Sequence, residues 1–302
     1  MEVHQLEYLI AIAEEGSFTR AAERLLVAQP SLSQQIKKLE QEVGRPLFDR
    51  LPRGVVLTEA GYRLLEHARR VLSEMHDGKR RVAEVGDQVA GALAVGAIPT
   101  VAPFLLPAAV SAFLRRWPGV AFTVIEDVTA KLLDGLERGE LDLAIMSSAE
   151  HLPTIHMETV ATEPLFLVVA KGHRLARRRQ VVWSDVEEER FLVLHEMHCL
   201  AGQVLQFCGS QGARPRIAAR GAQLSTIAAM VSAGLGVSMV PAMFRDADGA
   251  SDRVYLRFAG PPPARDLCLA WSLRRYRTNA ARALAETVRS LLSARSHQAR
   301  GE

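Results

Sequence analysis

The run SFTRAAERLLVAQPSLSQQIKKLEQEVGRPLFDRLPRGVVLTEAG, residues 17–61, decides how the chain begins to fold. Ser17 is placed to cap a short helix whose apolar positions, Phe18, Ala21, Ala22 and Leu25, share one face. After a break at Leu26–Gln29, Pro30 suits the first turn of another helix. The inner stripe of that helix is Leu32, Ile36, Leu39 and Val43; opposite it lie Pro30, Gln34, Lys37, Lys38 and Gln41, with Ser31 and Ser33 on the flanks. Upstream, Leu6, Leu9, Ile10 and Ala13 predict a first helix that ends near Glu15-Gly16. Three short helices with a tight turn before the third form a helix-turn-helix, whose last helix can enter a major groove. Amides such as Gln34 pair with base edges, and Lys37 and Lys38 suit phosphates. Residues 45–58 read as two brief strands around a turn at Pro52–Gly54, a wing with Arg50 and Arg53 at its tip. The candidate DNA-contacting residues are therefore Gln29, Pro30, Ser31, Ser33, Gln34, Lys37, Lys38, Arg50 and Arg53. A plain helical bundle with a solvated polar face fits the helical part of the same pattern.

The whole run resembles the N-terminal domain of LysR-type transcriptional regulators, winged helix-turn-helix proteins that act on promoter DNA. One departure is Ala28, where that family carries a hydroxyl residue to cap the recognition helix, so the helix start is expected to be less firmly held. Thr58 then opens a helix reaching to about Gln88. Along it Leu57, Gly61, Leu64, Ala68, Val71, Met75, Gly78, Val82, Val85 and Val89 recur in 4-3 alternation, a seam of roughly four heptads on a rod of about 45 Å. A core-facing amphipathic helix has a similar pattern. The resemblance implies a dimerisation linker, hence a homodimer through residues 58–89, a homotetramer, and RNA polymerase as a partner at the promoter.

Composition bounds the rest. A chain of 302 residues suggests two or three domains with proper cores. The net charge is +3, and residues 1–89 carry 13 Lys+Arg against 14 Asp+Glu, so bulk charge does not announce nucleic acid and the local arrangement must. Met1–Ala13 is not a charged-then-apolar leader, and no apolar run approaches the ~18 residues of a membrane span. A cytoplasmic protein without membrane contact is expected. In that reducing compartment three cysteines make any disulfide transient rather than structural. Neither Cys-x-x-Cys nor a Cys/His cluster at metal spacing is present, so neither metal nor cofactor is expected.

From Gly91 strands alternate with helices: Ala92–Ile98, Phe104–Trp117, Ala121–Glu126, Thr129–Arg138 closed by Gly139, and Leu141–Met146. This βαβαβ order predicts a parallel sheet with a crevice at the carboxyl ends of its strands, where Ile98-Pro-Thr100-Val101 and Thr129 fall. Read from the residues alone, both threonines are helix caps first. A second unit begins near Glu163, with strands Leu165–Ala170, Phe191–Leu194 and Val237–Val240 and a helix at Leu224–Ala233. Arg265–Trp271 is a late strand, Asn279–Leu292 a closing helix, and Pro261–Pro263 a crossing point between lobes. Two such lobes resemble the periplasmic-binding-protein-like effector domain of the same regulators. The expected architecture is thus a two-lobed α/β regulatory domain joined by a long helix to an N-terminal winged helix-turn-helix. Its boundaries are 1–58, 59–89 and 90–302, with lobe I at about 90–162 and 267–302 and lobe II at about 163–266.

The stretch HEMHCLAGQVLQFC, residues 195–208, holds two of the three cysteines. On a helix their thiols lie about 13 Å apart along the axis and about half a turn out of phase. A disulfide needs Cα atoms within about 7 Å, so joining Cys199 to Cys208 requires this segment to melt or refold. Cys208 shares an apolar arc with Leu200, Val204, Leu205 and Phe207, whereas Cys199 lies with Gly202, Gln203 and Gln206 at a helix start. Helix N-termini favour anions and His198 can donate to a thiolate, so Cys199 is the better candidate for oxidation. Both residues also fit as ordinary packing cysteines.

AIPTVAPFLLP and HEMHCL followed by QFC resemble the peroxide-sensing subgroup of LysR-type regulators. The resemblance implies that Cys199 attacks peroxide, that Cys208 resolves it in a reversible disulfide, that Thr100, Thr129 and His198 hold the peroxide, and that defence genes are activated. Two departures bear on tuning. The histidine that this subgroup carries about ten residues after the second cysteine is replaced by Arg216-Ile-Ala-Ala-Arg220, leaving Arg214, Arg216 or Arg220 as substitutes; a basic pair before the last strand is reduced to Arg265 followed by Asp266. Cys268, among apolar neighbours, reads as inert core. A regulator answering to a small metabolite between the lobes and a cysteine-dependent peroxidase are the alternative readings; a non-enzyme is expected.

Overall fold

The structure, a computed structural model, describes all residues except 53, 85–88, 149–151, 211, 213–214 and 301–302, and the backbone alone of residues 50, 83 and 296–300. It divides into two units, Met1–Ala83 and Glu84–Glu302.

The first unit contains α1 (Val3–Glu15), α2 (Phe18–Arg24), α3 (Gln29–Val43), β1 (Phe48–Leu51), β2 (Gly54–Leu57) and α4 (Glu59–Ala83). Gly16 closes α1 at φ 59°, and Ser17 Oγ then accepts the Arg20 N–H at 3.4 Å to start α2. The turn into α3 is tight: Leu26 takes φ 56°, and the Val27 N–H donates to the Ala22 carbonyl at 3.0 Å. Leu6, Leu9, Ile12, Leu32, Ile36 and Leu39 form the buried centre. Val43, expected on the inner stripe, is instead exposed, because it is the last residue before the left-handed Gly44 and lies past the edge of that centre. β1 and β2 pair antiparallel. In α4, Leu65 and Ala68 are buried against this unit, whereas Val71, Met75 and Val82 face outward. The helix is described as far as Ala83; the expected end at Gln88, with Val85, lies outside the described residues, and Val89 is not helical.

In the second unit β3 (Gly91–Ala97), α5 (Ala102–Arg116), β4 (Val120–Glu126), α6 (Thr129–Arg138) and β5 (Leu143–Ser147) form a parallel sheet in the order β4-β3-β5. Gly96 makes this packing possible, since a Cβ there would stand 2.6 Å from Leu132 of α6. β6 (Ile155–Ala170) is one continuous strand, so the lobe boundary expected at residue 163 falls in its middle. A 3-10 turn (Arg174–Arg177), β7 (Gln180–Val181), α7 (Trp183–Val186) and β8 (Arg190–Leu194) follow. Then come α8 (Cys199–Ser210), β9 (Arg216–Gly221), α9 (Leu224–Ser232), β10 (Ser238–Pro241), α10 (Ala242–Ala247), β11 (Arg253–Phe258), β12 (Ala264–Ser272) and α11 (Asn279–Arg300). β12 runs antiparallel to both β5 and β6, and the far half of β6 pairs with β10 and β11. Two apolar cores result, one per lobe, and β6 contributes to both. β8 and β9 are parallel neighbours, which makes α8 their crossover helix. Both cysteines of the pair therefore sit on one connecting element.

Candidate functional site

α8 begins at Cys199, and its buried face is Leu200, Ala201, Val204 and Cys208. The two thiols meet different surroundings: Cys199 is half-buried against the core of lobe I, while Cys208 is sealed in the core of lobe II. All three cysteines are free thiols. Nine residues of unbroken helix keep the pair about 13 Å apart along the axis, beyond the reach of a disulfide. Burial pushes the Cys208 thiol up to about 11, so in this conformation it stays protonated. Cys268 lies on β12, buried, with Thr159 Oγ1 at 3.5 Å, and burial raises it too.

Cys199 lines a narrow cleft with His198, Thr100, Thr129 and Val128. The three residues expected to surround the thiol are thus brought together from the β3–α5 turn, the start of α6 and the start of α8. Neither threonine caps a helix. Val101 and Val128 hold the cap positions of α5 and α6 with no side-chain bond, and Thr129 Oγ1 is buried in the cleft wall without a hydrogen-bond partner among the described residues. An orphaned buried hydroxyl carries a cost of about 1–3 kcal/mol and is satisfied by a polar guest.

Thr100 is held by Arg265, which donates from Nη1 to Oγ1 at 2.7 Å and from Nη2 to its carbonyl at 3.1 Å. Arg265 is itself fully buried, donates from Nε to Glu163 Oε2 at 2.8 Å, and leaves the Thr100 hydroxyl proton free for another acceptor. Arg265, expected before the last strand but lying within β12, therefore positions a wall of the cleft. His198 is buried, bonds the Ala222 carbonyl, and is shifted down by loss of solvent and by nearby His195. A neutral imidazole with one N–H engaged presents its other nitrogen as an acceptor. Arg216 and Arg220 do not line the cleft; Arg220 pairs with Glu196 at 3.0 Å, and Arg214 lies outside the described residues.

Sequence reading placed Gln203 beside Cys199 but gave it no role. One turn beyond Cys199, its Nε2 donates to Ser147 Oγ on β5 at 2.7 Å, and Ser147 passes the bond to the Asp266 carbonyl at 2.9 Å. Gln203 Oε1 has no partner among the described residues. This contact ties α8 of lobe II to lobe I. Its signal was the i, i+4 spacing from Cys199, which puts an amide on the same face.

On the first unit, Gln29, Pro30, Ser31, Gln34, Lys37 and Lys38 are exposed together on α3, and Ser33 is half-buried beside them. Ala28 at the helix cap makes no side-chain bond, as the missing hydroxyl requires. The side chain of Arg50 and all of Arg53 lie outside what is described.

Two family profiles match the chain: "Bacterial regulatory helix-turn-helix protein, lysR family" over residues 3–62 and "LysR substrate binding domain" over residues 86–293. The chain is 37% identical over 272 residues to the hydrogen peroxide-inducible genes activator of Pectobacterium carotovorum subsp. carotovorum, covering 90% of each chain. Among solved structures it is similar to a full-length OxyR from Pseudomonas aeruginosa carrying a cysteine-to-aspartate change, with a TM-score of 0.79 at 31% identity, covering 96% of this chain and 95% of that one. It is also similar to a hydrogen peroxide-bound cysteine-to-serine variant of Corynebacterium glutamicum OxyR, with a TM-score of 0.64 at 27% identity, covering 99% and 93%.

Proposed function

Because the chain belongs to the LysR family of bacterial regulators, which bind DNA through their helix-turn-helix, we propose that it is a transcriptional activator of peroxide defence that senses hydrogen peroxide through Cys199 and Cys208. The observation that carries this reading is the cleft at Cys199, where an unpartnered Thr129 hydroxyl, a free Thr100 proton and a neutral His198 converge on one half-buried thiol.

The chemistry follows from those groups. His198 accepts the Cys199 proton, and the thiolate attacks one peroxide oxygen held between Thr100 and Thr129. The O–O bond breaks, the leaving hydroxide takes a proton to become water, and Cys199 is left as sulfenic acid. The Cys208 thiol then attacks the Cys199 sulfur, the S–O bond breaks and a second water leaves. Two thiols and one peroxide thus give a disulfide and two waters, and a cellular dithiol restores the reduced pair. Bond formation cannot occur on the helix as it stands, so oxidation selects a conformation in which α8 has unwound and its ties to both cores have changed. Each oxidation consumes one peroxide per reduced pair, and its functional outcome is the changed shape.

At promoter DNA, α3 enters the major groove with Gln34 at base edges and Lys37 and Lys38 on phosphates, flanked by Gln29, Pro30, Ser31 and Ser33. Arg50 and Arg53 of the wing take further phosphates. The exposed half of the α4 seam joins two copies, two dimers form the tetramer, and the oxidised form engages RNA polymerase in the cytoplasm. Peroxide treatment followed by peptide mapping tests the sensing step. A Cys199–Cys208 bridge is expected in the parent and none in Cys199→Ser, which also loses promoter activation. A Cys199→Ser variant that still responds normally overturns the reading.

A further inference from the structure

A cavity of about 310 Å³ opens beside the middle of β6, the strand that crosses between the lobes, and it shares no wall with the cysteine cleft. Its body is apolar, built by Leu165 and Phe166 of β6, Met243 of α10, Leu267 of β12 and Leu292 of α11. Around it stand three arginines, Arg245, Arg257 and Arg295, against two carboxylates. Both carboxylates are engaged: Glu163 accepts the Met243 N–H at 2.7 Å and Arg265 Nε at 2.8 Å, and Asp246 pairs with Arg245 at 2.5 Å. Arg295 donates to the Phe104 carbonyl at 2.8 Å. Arg257, 5.9 Å from the Phe166 ring, has no carboxylate partner among the described residues. An apolar body under an uncompensated guanidinium selects a ligand with one anionic end, and the planar fork of arginine matches a carboxylate. An apolar cavity of about half this volume holds benzene, so this one accommodates about twelve non-hydrogen atoms.

We propose that this cavity is a second small-molecule site, for an apolar monocarboxylate whose body packs on Phe166 and Leu292 and whose carboxylate meets Arg257, and that its occupancy is passed to the cysteine cleft. The route is short. Residues 161–166 are the middle of β6, where the strand leaves lobe I for lobe II, so a ligand there restrains the meeting of the lobes. Glu163 lines the cavity and holds Arg265, and Arg265 holds Thr100 beside Cys199. A ligand that shifts Met243 or Glu163 therefore moves a wall of the peroxide site. Binding stands independently of the proposed peroxide chemistry; the effect on Cys199 rests on it.

Calorimetric titration of the reduced full-length protein with 4-phenylbutyrate, and with 4-phenylbutanol as its uncharged counterpart, tests the site. The acid is expected to bind one per chain, about tenfold or more tighter than the alcohol. Arg257→Gln, a change at an exposed residue, brings the acid down to the level of the alcohol, and Ala242→Leu, which narrows the cavity, weakens both. No heat with either compound, equal binding of the two, or acid binding untouched by Arg257→Gln overturns the proposal. Saturating acid is then expected to change the rate of Cys199 oxidation by peroxide about fivefold or more. Binding with an unchanged rate refutes the coupling and keeps the site. Absence of Cys199 oxidation with and without the acid sinks the peroxide reading while leaving the binding result standing.

Discussion

Two cysteines of one helix differ because one faces a polar cleft and the other an apolar core. Cys208, with its thiol held up at about 11, cannot act as a nucleophile until α8 opens. In the reduced protein at about pH 8, iodoacetamide is therefore expected to label Cys199 readily and Cys208 only slowly, by mass mapping of the two peptides. A thiol raised on folding favours the folded state below its unfolded value near 9 and loses that contribution as pH climbs through about 11. Chemical denaturation across that window should show stability falling by up to about 2 kcal/mol, with a flatter slope in Cys208→Ala. His198 has the opposite sign: its lowered value means that acid below about pH 6.5 charges the unfolded imidazole first and costs stability. Cys199, Cys208, Thr100, Thr129 and His198 were all nameable from motifs. The partners that hold them were not, because Arg265 and Thr100 are 165 residues apart and Gln203 and Ser147 are 56 apart.

α8 is a crossover helix pinned at one end by the Gln203–Ser147 bond and along one side by the core of lobe II. Removing the bond releases the helix toward the opened state. Gln203→Leu is expected to speed disulfide formation after peroxide addition by about fivefold, the worth of roughly 1 kcal/mol, while leaving sulfenic acid formation nearly unchanged. A stopped-flow trace with a sulfenic acid trap separates the two steps. In the first unit, Gly61 lets α4 lie on the wing, since a Cβ would stand 2.1 Å from the Leu47 carbonyl. Gly61→Ala should lower the stability of that unit by about 2 kcal/mol or more and weaken operator binding, read by thermal melting and gel shift. Helices with a clear apolar stripe and a cap were legible to within a few residues. β9 was not: it is an edge strand of short and charged residues with little burial, so it lacks both alternation and an apolar run.

At the scale of the molecule, the outward half of the α4 seam is the feature that asks for a second copy. Val71, Met75 and Val82 are exposed on one chain, at 43%, 39% and 74%. Val71→Glu with Met75→Glu is expected to leave each chain folded by circular dichroism and to shift sedimentation from dimer or larger to monomer; an unchanged assembly removes the seam from the interface. The amino-acid sequence alone determined what is local or periodic: the helix-turn-helix with its wing, the parallel βαβαβ order, the cysteine helix, and the impossibility of bridging its two thiols while it stays wound. Turn residues, caps and apolar periods act over a few residues and so are written in neighbouring letters. Only the tertiary structure decided that β6 runs through both lobes, that Arg265 joins Glu163 to Thr100, that the threonines face a cleft instead of capping helices, and that Cys199 and Cys208 rest on different cores. Those facts depend on which distant segments pack together, and burial, which sets both the protonation of the thiols and the cost of an unpaired hydroxyl, exists only once they have.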